Sequence, residues 1–323
     1  MVLLLVAVVG YAGFLAWVPI KSYNAMPKVA DAPAGSRPAS GAGSNYLLVG
    51  SDSRAGLTAE QEAELSTGSE SDDPGQRTDS IMLLHRSNSG KSSLISIPRD
   101  SYVQIPGYGT NKINAAFAFG GPALLVETVE GATGLRIDGY LEIGFGGFAS
   151  VVDALGGVEI CVPFPMDDPR AGINLQEGCQ TLNGATALGY VRARYSDPRG
   201  DIGRAERQRQ FLSAIMQKSV SPKTILDPFQ YYAVVMAPSE GLALGEDTSL
   251  YETAQIFLTM RAMSNGDGLS LVVPIASTNF QTTNAGVAVK WDTERATALF
   301  DALRDDDPLT QAPAGTDGAP SQG

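Results

Sequence analysis

Histidine occurs once in these 323 residues, cysteine twice and tryptophan twice, and acidic residues outnumber basic ones. Each scarcity excludes a chemistry. The lone His85 lies in an apolar stretch, MLLHR, and reads as half-buried filler rather than a general base. Two isolated cysteines without a CxxC neighbour, and no HExxH, leave zinc without a ligand set. There is no GxSxG, so serine hydrolase chemistry is unsupported. Ser89-Gly90-Lys91-Ser92 resembles the end of a phosphate loop, but that motif needs glycine where His85 stands. With 23 Lys+Arg against 35 Asp+Glu, a net charge of −12 argues against nucleic acid as a partner, since a binding face for it is basic.

What is present begins with an uncharged run. Residues 2–20 (VLLLVAVVGYAGFLAWVPI) carry no charge. As a helix they span about 28 Å, close to the hydrocarbon core of a bilayer. Tyr11 and Trp17 suit the interfaces. A cleaved signal peptide is the competitor, but a basic n-region is lacking and the cleavage-like site near Tyr23-Asn24-Ala25 is poor. Lys21 and Lys28 flank the C-terminal side, opposite to the positive-inside count for export; a start site placed too late would account for this. The reading is a transmembrane anchor over 1–20, with the rest of the chain outside the cytoplasm. Residues 21–44 are Pro/Ala/Gly/Ser-rich and read as a flexible stalk. Residues 305–323 share that composition and read as a disordered tail. The folded part is then 45–304, with 43% hydrophobic residues in the chain to build a core. Outside the cytosol Cys161 and Cys179 suit one bridge, which would contribute about 3 kcal/mol.

Strand patterns at 45–50, 80–86, 91–97, 140–143, 158–162 and 269–274 alternate with helical ones. The helical patterns cover 112–119, 123–133, 145–155, 183–190, 204–220, 228–236, 250–263 and 293–303, with one short helix at 59–65 inside an acidic insertion, 58–76. Mixed elements in one chain predict an α/β sandwich with helices on both faces of a sheet.

Against the acidic background, the window YVRARYSDPRGDIGRAERQRQF (190–211) places Arg192, Arg194, Arg199, Arg204, Arg207 and Arg209 within eighteen residues. Arg192 and Arg194, if extended, share one strand face. Arg204, Arg207 and Gln208 share one face of a helix opened by Asp201. A fork of guanidiniums fits a phosphate or pyrophosphate. Predicted strand ends carry Asp52 and Arg54, then Arg77-Thr78-Asp79, then Pro98-Arg99-Asp100, where ligands gather in layered α/β folds. Asp52 and Asp79 are the pair suited to Mg²⁺, with Arg99, Lys112 and the arginine window as counter-charge. An apolar groove is expected beside them from Phe117, Phe119, Leu124, Leu125 and Val126.

In order along the chain, VGSDSR, RTDSIMLL, SIPRDSYVQIP, NKINAAFAFGG, VDALGGVEI and the arginine window resemble the LytR-CpsA-Psr (LCP) family. The resemblance covers about residues 45–220. It implies a membrane-anchored enzyme of Gram-positive bacteria with an α/β/α sandwich, a central mixed sheet and a hydrophobic groove for a polyprenyl tail. Such enzymes transfer glycopolymers from a polyprenyl-pyrophosphate carrier to peptidoglycan. By the resemblance, Asp52 and Asp79 are the Mg²⁺-associated aspartates. Arg77, Arg99, Lys112, Arg192, Arg194, Arg204 and Gln208 surround the pyrophosphate, and Asp201 and Arg207 fall in the same motif. Arg99, Asp79 and Arg204 are the catalytic candidates. The cysteine pair and Ala/Gly-rich style resemble actinobacterial members. Asp79 and Asp100 both qualify as proton acceptor. A pyrophosphatase using water on the same lipid, and a non-catalytic envelope regulator, are the competing functions.

Overall fold

A computed structural model describes residues 2–54, 57–67, 78–193, 197 and 200–320. Helix α1 (Val2–Ala25) leads into an edge strand β1 (Lys28–Val29) and the central strand β2 (Ser44–Ser51). After the short α2 (Ala59–Glu64), β3 (Thr78–Arg86) and β4 (Ser92–Ile97) form a hairpin, as do β5 (Tyr102–Ile105) and β6 (Gly109–Lys112). Next come α3 (Asn114–Thr133), β7 (Gly139–Ile143), α4 (Phe145–Ala154) and β8 (Val158–Val162). A small excursion, β9 (Met166–Asp168) and β10 (Ile173–Leu175), returns to β8 through β11 (Gly178–Leu182). Four helices follow: α5 (Gly184–Arg192), α6 (Gly200–Ser219), α7 (Pro222–Leu226) and α8 (Pro228–Met236). The chain then runs through β12 (Leu242–Gly245), α9 (Leu250–Ser264), β13 (Gly268–Val272), the hairpin β14 (Ile275–Gln281) and β15 (Val287–Trp291), and α10 (Thr293–Arg304).

The central sheet has the order β1-β12-β7-β2-β3-β4-β13 and mixes parallel and antiparallel pairs. Its inner strands are apolar on both sides, as expected where both faces are covered. Leu47, Val49, Ile81, Leu83 and Ile95 pack one face against α3 and α10. Tyr46, Leu48, Met82, Leu84 and Leu94 pack the other against α9 and the end of α1. This is the expected α/β/α sandwich. A third cluster joins α4, α5 and α6 to β8 and the small strands.

Capping chemistry sets several helix starts. Asn183 accepts the Thr186 N–H at the head of α5, and Ser249 with Glu252 closes a capping box on α9. The Gly120-Gly121-Pro122 break expected between two helices is a kink inside α3, where Gly121 takes a φ of +64° that suits glycine alone.

Several expectations need correction. The stretch read as a loose stalk from 21 is helical to Ala25. Beyond it β1 pairs with β12, and Arg37 bonds the buried Glu130 at 2.6 Å. A carboxylate buried in α3 requires such a cation, and the stalk supplies it. The tail read as disordered is packed through 320: Asp306 Oδ2 accepts the Asn88 N–H, Leu309 joins the core, and Thr316 O accepts the Val272 N–H at 2.8 Å. Arg192 ends helix α5 and is not on a strand, and Lys112 closes β6 and does not open a helix. The hairpins β5–β6 and β14–β15 had no sequence counterpart.

Candidate active site

Three segments meet at one end of the sheet's strands. β2 and β3 pair antiparallel with Ser51 opposite Thr78, so Asp52 and Asp79 leave neighbouring strands at the same end. β4 delivers Pro98-Arg99-Asp100 there, and the turn is fixed where Asn114 N–H bonds Arg99 O and Ile113 N–H bonds Ser101 O. Arg99 then donates to Asp79 Oδ1 at 2.5 Å. Lys112 Nζ sits 3.0 Å from Asp100, whose other oxygen is 3.7 Å from Arg99 Nε.

Arg192 comes in from the end of α5. Its guanidinium lies over the Phe145 ring at 4.6 Å and donates to the carbonyls of Leu65 and Ser66, each at 3.3 Å. Burial pulls its basicity below the ordinary range while Asp79 pushes the other way. It remains a cation at physiological pH, so the site holds a partly desolvated positive charge. Arg54 donates to Thr67 O at 2.7 Å, so two arginines fasten the start of the 58–76 insertion against the site.

A polar cavity of about 180 Å³ is lined by Asp79, Arg99, Asp168, Arg170, Arg192 and Arg204. It adjoins an apolar cavity of about 600 Å³, and Asp79 and Arg192 line both. The apolar chamber runs between Tyr23 of α1, Phe148 of α4, Leu212 of α6, Val234 of α8 and Phe257 of α9, with Gln208 also on its wall.

Of the residues expected at the site, Asp79, Arg99, Arg192 and Arg204 meet at the polar cavity, and Gln208 lies on the adjoining wall with Nε2 donating to Val191 O. Lys112 is held one residue away by Asp100. Asp52 stands at the strand end beside Asp79, and its charge acts on Arg192. Arg77 and Arg194 lie outside the described residues, as does the side chain of Asp201. Arg207 faces away from the pyrophosphate position expected for it. Only 2% exposed, it donates to Tyr190 O at 3.2 Å, to Ala193 O and to the Asp197 carboxylate. A Cβ at Gly203 would collide with that carboxylate, so glycine there lets Asp197 reach Arg207. Arg207 thus ties the end of α5 and Ala193 to Asp197, while Arg204, one helical turn earlier, lines the cavity.

The groove expected from α3 is also elsewhere. Phe117, Leu125 and Val126 belong to the core on the opposite face of the sheet, and Phe119 stacks on Tyr108 at the surface. Cys161 and Cys179 form a disulfide across the β8–β11 pair. The loop it closes carries Asp168 and Arg170, which sequence reasoning missed. The Asp-Pro-Arg triplet between the two cysteines was the available signal.

Among the described residues no three acidic, histidine or cysteine side chains form a metal cluster. Two carboxylates from adjacent strand ends nevertheless fit Mg²⁺, which is held by one or two carboxylates plus phosphate oxygens and water.

The chain belongs to the LytR_cpsA_psr family, which it matches over residues 21–256. It is 47% identical over 274 residues to a probable cell wall biosynthesis protein, LcpB, of Corynebacterium glutamicum, covering 85% of this chain and 64% of that one. It is 38% identical over 187 residues to the polyisoprenyl-teichoic acid–peptidoglycan teichoic acid transferase TagU of Oceanobacillus iheyensis, covering 56% of this chain and 53% of that one. The solved structure of TagT, a B. subtilis protein, bound to LI-WTA superposes with a TM-score of 0.61 at 26% identity, covering 85% of this chain and 98% of that one. The chain thus spans between about half and two thirds of the curated relatives' length.

Proposed function

We propose that this protein is a Mg²⁺-dependent phosphotransferase that moves a glycopolymer from a polyprenyl-pyrophosphate carrier to peptidoglycan, anchored in the cell membrane by α1 with its catalytic domain outside. The observation that carries the reading is the junction of the two cavities, an arginine-lined polar chamber opening at Asp79 and Arg192 onto a large apolar one. A molecule with a dianionic head and a long hydrocarbon tail matches both. The names of the relatives point the same way, toward cell wall assembly and teichoic acid transfer.

In this reading Arg99, Arg192 and Arg204 grip the pyrophosphate oxygens and stabilise the charge that develops there. Asp52 and Asp79 would hold Mg²⁺, which supplies further neutralisation of the phosphates when bound. A hydroxyl oxygen of peptidoglycan forms a bond to the sugar-linked phosphorus, and the bond from that phosphorus to the bridging oxygen breaks, releasing polyprenyl phosphate. Both candidate acceptors for the hydroxyl proton are paired with cations, Asp79 with Arg99 at 2.5 Å and Asp100 with Lys112 at 3.0 Å, and Asp79 in addition lines both chambers.

The test incubates the full chain in detergent with a synthetic polyprenyl-pyrophosphate glycan, Mg²⁺ and peptidoglycan oligomers. Transfer predicts glycan joined to the oligomers through phosphate, with polyprenyl phosphate released only when acceptor is present. Release at the same rate without acceptor would identify a hydrolase. Donor binding without turnover under every condition would identify a regulator.

A further inference from the structure

The contacts along α1 climb in step with those of its neighbours. Tyr11 donates its hydroxyl to Ile225 O in α7. Tyr231 on α8 donates to Leu15 O at 2.7 Å, with its ring 6.0 Å from Phe14. Lys21 Nζ donates to Tyr232 Oη at 2.6 Å. Residues 225 to 232 therefore run alongside residues 11 to 21 in the same direction. The α7–α8 corner points the way the N-terminal turns of α1 point. Between Tyr11 and Lys21 the helix rises about 15 Å. At the upper level the Lys21 ammonium stands over the rings of Trp17 and Tyr232, at 5.2 and 5.0 Å, a pairing suited to a membrane interface. On the N-terminal side Leu5, Val6, Val8 and Val9 are all exposed. At the corner, Leu226 is 74% and Phe229 86% exposed, the highest values for large apolar side chains outside α1 among the described residues.

We infer that the α7–α8 corner is a wedge inserted into the lipid bilayer beside α1. The inference rests on α1 crossing the membrane, as proposed above, and adds that the domain itself penetrates the leaflet on its own side. The occupant is lipid because the apolar corner continues the exposed apolar surface of α1 and lies on its membrane side relative to the Trp17–Lys21–Tyr232 cluster. Asp227 accepts the N–H groups of Phe229 and Gln230, at 2.9 and 3.1 Å, so the polar start of α8 is hydrogen-bonded within the chain. Insertion would seat the α1–α8 wall of the apolar chamber, formed by Pro19, Tyr23, Ile225, Tyr231 and Val234, at leaflet level. A hydrocarbon tail could then enter the chamber without crossing water.

Because both native cysteines are in the disulfide, an introduced cysteine takes a fluorophore selectively. The full chain is reconstituted in phosphatidylcholine–phosphatidylglycerol vesicles as Val6→Cys, Leu226→Cys, Phe229→Cys and Val287→Cys. Each label is challenged with acyl-brominated lipid and with aqueous iodide. The wedge predicts lipid quenching of about twofold or more at 6, 226 and 229, and iodide quenching alone at Val287 on β15. Lipid quenching at 6 with iodide quenching at both 226 and 229 would overturn the wedge while leaving the span intact. Absence of lipid quenching at 6 as well would overturn both. Labels at 226 and 229 shielded from both quenchers would show the corner covered by a second copy of the chain, which also overturns the lipid assignment.

Discussion

At the scale of single residues, two arginines one helical turn apart are assigned opposite tasks. Arg204→Ala and Arg99→Ala are expected to lower transfer by about 30- to 1,000-fold, since each removes a cation from the phosphate position. For Arg99→Ala, single-turnover assays beside a melting curve should show activity lost with little loss of stability, because the Arg99–Asp79 pair is partly exposed. Arg207→Ala should do the reverse. Breaking its buried pair with Asp197 costs about 3–5 kcal/mol, which urea denaturation would read directly. His85 supplies a pH signature. Its Nδ1 lies 2.8 Å from Asn45 Oδ1, and burial pushes its pKa below the ordinary 6.5 despite the nearby Asp306 carboxylate. The unfolded chain therefore takes up the proton first. Stability should be full above about pH 6.5 and decline as pH falls below it. Melting temperatures between pH 7 and 5 should show this slope, and His85→Asn should flatten it, there being no second histidine to confuse the reading.

At the scale of elements, the bridge between β8 and β11 closes the loop that carries Asp168 and Arg170 into the polar cavity. Replacing Cys161 and Cys179 by serine should cost about 3 kcal/mol in urea denaturation. Donor KM should rise more than kcat falls, because the loosened loop still leaves Arg99 and Arg192 on their own elements. The strand ends that carry Asp52, Asp79 and Arg99 were legible because short apolar runs broke off at charged residues in the manner of layered α/β folds. Arg207 was not, since its spacing on α6 equals that of a ligand-facing residue and only the placement of Tyr190, Ala193 and Asp197 around it decides what it touches. The apolar chamber was placed on the wrong face because helical apolar residues serve a core and a groove equally well. Its real walls come from α1, α8 and α9, elements far apart in sequence.

At the scale of the whole molecule, the chamber draws on the N-terminal helix α1 as well as the domain. Filling it with Leu212→Trp should raise the KM for a long-chain donor by about tenfold or more while leaving a water-soluble, short-chain pyrophosphate donor nearly unaffected. A parallel loss with both donors would place the tail elsewhere. The C-terminal segment has a separate consequence. β13 is the last strand of the central sheet, with β4 on one side only. Thr316 occupies its other side through the Val272 N–H, and Pro320 bridges to Ile275 just beyond. Strands left open in this way recruit foreign strands. Trimming the chain at 304, where composition alone would place the end of the fold, should therefore yield a protein that self-associates through its sheet. Light scattering during storage would detect this well before any change in helix content.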